Sequence, residues 1–135
     1  MKAISAAGLD QPTMQGAYQK VAYFRGVQHF NAIQYNAARR LFNKSLDYPL
    51  NNVYASLAHY WLAEIAYRED DFNTALLEIG KFEAIPGSAT LSEYKRSLYN
   101  KGYAYFSKED YRNAATTFRL FLNSAKLGTK LANDA

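Results

Sequence analysis

YFRGVQHFNAIQYNAARRLF, residues 23–42, decides the fold because its spacing returns twice more along the chain. Tyr23, Gly26, Phe30, Tyr35, Ala38 and Phe42 define six columns. YWLAEIAYREDDFNTALLEI (60–79) fills them without a gap with Tyr60, Ala63, Tyr67, Phe72, Ala75 and Ile79. YNKGYAYFSKEDYRNAATTF (99–118) fills them with Tyr99, Gly102, Phe106, Tyr111, Ala114 and Phe118. From Gly26 to Ala63 is 37 residues and from Ala63 to Gly102 is 39. Self-similarity at such a period marks a repeat architecture.

Spacings of three and four within each half place one apolar stripe on each of two helices per copy. The halves separate at Ala32–Gln34, Glu69–Asp71 and Lys108–Asp110. Asp71 and Asp110 are suited to cap the second helices, their carboxylates accepting free backbone N–H groups. Asn51 or Asn52 is expected to cap the first helix of the second copy, and Thr90 with Glu93 to form a capping box in the third. Pro49 and Pro86-Gly87 close the first two copies, whereas the third is expected to close at Gly128. The small columns (Gly26, Ala63, Gly102 and Ala38, Ala75, Ala114) let the paired helix axes approach, and the aromatics fill the remaining volume. One helix pair cannot cover its own apolar faces, so the pairs must stack.

These columns resemble those of the tetratricopeptide repeat (TPR): a small residue early in the first helix, an aromatic at the turn, then alanine, a large apolar residue and proline. Gly26, Tyr35, Ala38, Phe42 and Pro49 carry the likeness best, and it covers roughly residues 18–125. The period is longer than the family's usual one. Trp61 is displaced from the family's tryptophan slot, and Phe82 and Phe121 stand where the family prefers alanine, which implies wider local packing. Long aromatic-rich copies resemble the TPR proteins of bacterial envelopes, which favours a periplasmic or envelope setting over the cytoplasm.

The resemblance implies an all-α, right-handed superhelix of about three repeats, at 13–50, 51–87 and 90–127. Partial repeats are expected at both ends: the tail of a preceding helix at 1–9 and the start of another at 129–135. It also implies protein or peptide binding in a groove lined by the first helix of each repeat. Carried over, the groove positions are Lys20, Tyr23, Val27, Phe30 and Asn31 in the first copy. The second copy supplies Leu57, Tyr60, Glu64, Tyr67 and Arg68; the third supplies Arg96, Tyr99, Tyr103, Phe106 and Ser107. Tyrosine suits such a surface, having a large contact area and a hydroxyl that can stay wet. The competing reading packs the same tyrosines between helices. A second functional reading is a spacer or oligomerisation module of a larger protein whose recognising or catalytic part lies elsewhere. Exposed apolar ends of a solenoid predict self-association through them.

Composition narrows the chemistry. The 135 residues are 49% hydrophobic and 21% charged, with seven glycines and three prolines, which fits a helical domain with a real core. The absence of cysteine excludes disulfides, thiol nucleophiles and cysteine-ligated metals. The net charge of +4 comes from 16 basic and 12 acidic residues interspersed along the chain, a poor footprint for nucleic acid. No run approaches the length of a membrane span. His29 and His59 lie in different copies with no ligand-spaced neighbour, and Glu69-Asp70-Asp71 is a turn without a calcium loop's alternating oxygens. Arg39-Arg40 reads as solvated surface; Lys95-Arg96 is placed to meet an acidic peptide. No phosphate loop, nucleophile elbow or zinc motif is present, so neither catalysis nor a cofactor is expected.

Overall fold

A computed structural model describes residues 9–134, with side chains as far as Ser124. The preceding-helix tail expected at 1–9 lies outside the described residues but for Leu9. The chain forms six α-helices: α1 (Pro12–Asn31), α2 (Tyr35–Ser45), α3 (Asn52–Arg68), α4 (Phe72–Ala84), α5 (Glu93–Ser107) and α6 (Tyr111–Asp134), with one 3-10 turn at Ser88–Thr90. No strand occurs among the described residues. Consecutive helices pair as hairpins α1–α2, α3–α4 and α5–α6. Each hairpin then packs on the next, α2 with α3 and α4 with α5. First helices also touch, α1 with α3 and α3 with α5, while α2 and α4 make no comparable contact.

The hairpin turns fall at the three expected breaks and share one geometry. Ile33, Asp70 and Glu109 are left-handed, with φ of 59°, 59° and 63°. The following N–H reaches back five residues in each case: Gln34 to the carbonyl of His29, Asp71 to Ala66 and Asp110 to Tyr105, all at 2.9 Å. This is the Schellman closure of a helix, made here three times without glycine. Asp71 then caps α4 through the Thr74 N–H (3.2 Å), Asp110 meets the Asn113 N–H (3.4 Å), and Asn51 caps α3 through the Tyr54 N–H (3.1 Å).

Two local expectations are overturned. The Thr90 hydroxyl donates to the carbonyl of Gly87 (2.6 Å) within the 3-10 turn, and α5 begins at Glu93 behind Ser92, whose side chain makes no cap. Gly87 at φ 90° turns the chain before Thr90 can act as a helix cap. Helix α6 also continues through Gly128 to Asp134. With no proline following, a lone glycine lowers helix propensity without ending the helix.

The small column works by contact. A Cβ built on Gly26 would lie 2.8 Å from Phe42 Cε1, and one on Gly102 would lie 2.6 Å from Phe118 Cε1. The middle hairpin carries alanine at this column opposite the smaller Ile79. A hydrophobic core lies in the seam between the first hairpin and α3, where Tyr23, Phe30, Phe42, Ala58, Leu62 and Ile65 are buried. Trp61 occupies that seam. Its ring stacks over Phe42 (6.4 Å between centroids), lies 4.7 Å from Phe30, and its N–H donates to the Tyr23 hydroxyl (3.1 Å). Phe82 is fully buried against Tyr60 and Tyr94. A polar staple fixes the link between hairpins. Buried Gln19 donates to the Asn51 carbonyl (3.0 Å) and accepts from its N–H (2.9 Å), while the Ser45 hydroxyl donates to the Gln19 carbonyl (2.9 Å).

Candidate functional site

The candidate site is the face made by the contacting first helices α1, α3 and α5. Its centre is Glu64, a carboxylate only 2% exposed. Burying a carboxylate is costly unless it is paired and hydrogen-bonded. Glu64 has three donors: Arg68 Nε one turn along α3 (3.2 Å), Arg96 Nη2 (2.9 Å) and Asn100 Nδ2 (2.6 Å), the last two from α5. Arg68 extends the network into the first hairpin. It donates to the Tyr35 hydroxyl (3.2 Å), and its guanidinium lies 4.8 Å over the Phe30 ring. One chain of contacts therefore links all three hairpins.

Both guanidiniums stay open to solvent, Arg68 at 43% and Arg96 at 55% of the side chain. Each is oriented from beneath by fixed acceptors, so little side-chain entropy remains to be lost on binding. Both arginines are held even more firmly protonated than usual, Arg68 chiefly by the Tyr35 hydroxyl and Arg96 chiefly by Glu64. Burial, with Glu64 adding to it, pushes the Tyr60 hydroxyl up to about 12. Burial first, then the hydroxyls of Tyr99 and Tyr103, raise that of Tyr67. The Asn100 carbonyl oxygen Oδ1 is buried with no partner.

The expected groove residues divide in two. Tyr23, Phe30 and Tyr60, each 6% exposed, and Glu64 belong to the interior, because the next first helix covers them. Val27, Leu57 and Tyr67 are half-buried, with Tyr67 packed edge-on to Tyr103 at 5.6 Å. Lys20, Asn31, Arg68, Arg96, Tyr99, Tyr103, Phe106 and Ser107 are exposed. The exposed aromatics thus concentrate on α5 beside Arg96. A cleft of about 350 Å³ opens there, lined by Ser92, Lys95, Arg96, Tyr99 and Phe121, with the Lys95 ammonium 6.0 Å from the Phe121 ring centroid. Asn100, Tyr35 and Trp61 complete the site without having been expected in it. Asn100 was detectable as the polar residue in a column that elsewhere holds Phe24 and Trp61.

Other chemistry is sparse. Among the described residues no three His, Asp or Glu side chains gather closely enough to hold a metal ion. No helix among them is long and apolar enough to cross a membrane. His29 Nδ1 lies 2.6 Å from Gln34 Oε1, and His59 donates from Nδ1 to Glu78 (2.7 Å). Arg39 pairs with Glu69, so this basic residue locks α2 to the end of α3. No family model matches the sequence, and comparison with curated proteins and with solved structures returns no match.

Proposed function

We infer that the chain is a TPR-type solenoid segment whose first-helix face binds an extended peptide or a partner helix without catalysing a reaction. The observation that carries this reading is the pair of exposed guanidiniums, Arg68 and Arg96, braced from below by buried Glu64 and flanked by exposed Tyr99 and Tyr103. Fixed cations beside amphipathic rings form a surface suited to backbone carbonyls and acidic side chains. Contact between successive first helices, with none comparable between α2 and α4, supports the superhelical curvature that puts this face on the inside.

Selection of a displayed random-peptide library on the folded protein tests the reading. Enriched peptides should carry acidic residues and should lose at least about tenfold in affinity on Arg68→Gln/Arg96→Gln, which removes both positive charges but keeps an amide donor for Glu64. A library that yields no binder, or binders indifferent to that variant, overturns the reading and favours a spacer role.

A further inference from the structure

The seams between hairpins differ in chemistry, and the difference says what the uncovered side of the third hairpin accepts. Two columns decide each seam. On the outgoing side they hold Val27 and Leu46 in the first hairpin, Glu64 and Glu83 in the second, and Tyr103 and Leu122 in the third. On the incoming helix they hold Leu57 and Leu62 in α3, and Arg96 and Lys101 in α5. The first seam is apolar: Val27, Leu46, Leu57 and Leu62 share one hydrophobic cluster. The second is ionic: Arg96 meets Glu64 at 2.9 Å, and Lys101 meets Glu83 at 3.0 Å.

The third outgoing face has the uncharged chemistry of the first, and no helix among the described residues packs on it as α3 and α5 pack on the first two. Tyr103 is 42% and Leu122 56% exposed. Tyr99 is 44% exposed where its equivalents Tyr23 and Tyr60 are 6%, and Phe106 is 53% exposed where Phe30 is 6%. We propose that this face of α5 and α6 docks an amphipathic helix of another protein, apolar at the two positions that Leu57 and Leu62 occupy in α3. A second copy stacked head-to-tail does not supply that helix. Its first helix, α1, carries Lys20 and Arg25 in those two columns, matching Arg96 and Lys101 of α5. It would set two cations against Tyr103 and Leu122, a desolvation penalty with no ion pair to offset it. Head-to-tail self-association through the ends is thereby disfavoured, and the specificity lies in uncharged against charged columns.

The inference goes beyond the groove reading; it shares Tyr103 with that reading but turns on Leu122, which the groove does not use, so Leu122→Glu lets each fail alone. The probe is an end-capped peptide of residues 52–68, which is α3 itself, compared with the same peptide carrying Leu57→Arg and Leu62→Lys. Binding is read by fluorescence anisotropy, and self-association by light scattering over a concentration series. The wild-type chain should stay monomeric and prefer the apolar peptide by at least about tenfold. Tyr103→Glu/Leu122→Glu, which recreates the acidic columns of the second hairpin, should reverse that preference. Tyr103 also packs on Tyr67 and Phe72. Leu122→Glu alone therefore serves as the variant with an intact core, and it should weaken the apolar peptide severalfold. An unchanged preference in both variants, no binding of either peptide to wild type, or a dimer lost on Leu122→Glu would each overturn the proposal.

Discussion

Gly26→Ala is the sharpest probe of how each hairpin closes. The added methyl would stand 2.8, 2.9 and 3.0 Å from three carbons of the Phe42 ring. That ring is fully buried and hemmed in by Tyr23 at 5.9 Å and Trp61 at 6.4 Å between centroids, so it has nowhere to retreat. Overpacking of this kind costs about 1–3 kcal/mol. Opposing it, alanine gains roughly 1 kcal/mol over glycine within a helix. The expected net loss is up to about 2 kcal/mol, or a melting point lower by up to roughly 6 °C for a chain of this size. Phe42→Ile alone should cost about 1–3 kcal/mol by leaving a cavity. Combined, the two changes recreate the Ala63–Ile79 pairing that the middle hairpin already uses. Urea unfolding followed by circular dichroism should then show a favourable coupling of about 1–2 kcal/mol in the double-mutant cycle. The reasoning is refuted if Gly26→Ala raises the unfolding midpoint, or if the two changes add without coupling.

Three further outcomes follow from particular residues. Ile33 is a β-branched residue at φ 59° and 73% exposed, so Ile33→Gly should relieve left-handed strain and raise stability by about 0.5–1 kcal/mol, seen as a higher urea midpoint. The raised Tyr60 hydroxyl keeps its proton in the folded state while the unfolded chain ionises near pH 10. Its contribution is therefore full below about pH 10 and is lost as the pH climbs towards 12, up to about 2–3 kcal/mol; Tyr60→Phe should flatten that decline in urea midpoints measured across the range. Gln19→Leu removes both side-chain bonds to the Asn51 backbone and should cost about 1–3 kcal/mol, with amide exchange quickening first at Asn51.

The hairpins were legible because their closure depends on residues that recur. Gly26 needs Phe42 and Gly102 needs Phe118, and the aspartate caps precede α4 and α6 at fixed positions. The left-handed turn residues carried no common signal, since aliphatic Ile33 stands where the other two turns have acidic Asp70 and Glu109, and the backbone bonds of the turn hold all three there. Burial of the candidate site was not legible either. Tyr23, Tyr60 and Tyr99 occupy one column, yet the first two are 6% exposed and the third 44%, because burial is decided by the next helix and not by the residue. Asn100 escaped notice for the related reason that its role comes from Glu64, 36 positions away.

Columns inside a hairpin repeat, while columns between hairpins differ, and that contrast orders the stack. Seating α5 on the first hairpin would press Arg96 and Lys101 against Val27 and Leu46. Seating α3 on the second would strand Glu64 and Glu83 against Leu57 and Leu62. Each misplacement buries charge without a partner, a penalty larger than the difference between two well-packed apolar seams. The ionic seam therefore acts chiefly through discrimination, by making wrong neighbours costly. It also leaves Arg68 and Arg96 braced and half in solvent on the first-helix face. The same carboxylate that pairs with the neighbouring hairpin thus orients the cations of the proposed binding face, and a change at Glu64 should disturb stacking and, on that proposal, recognition together.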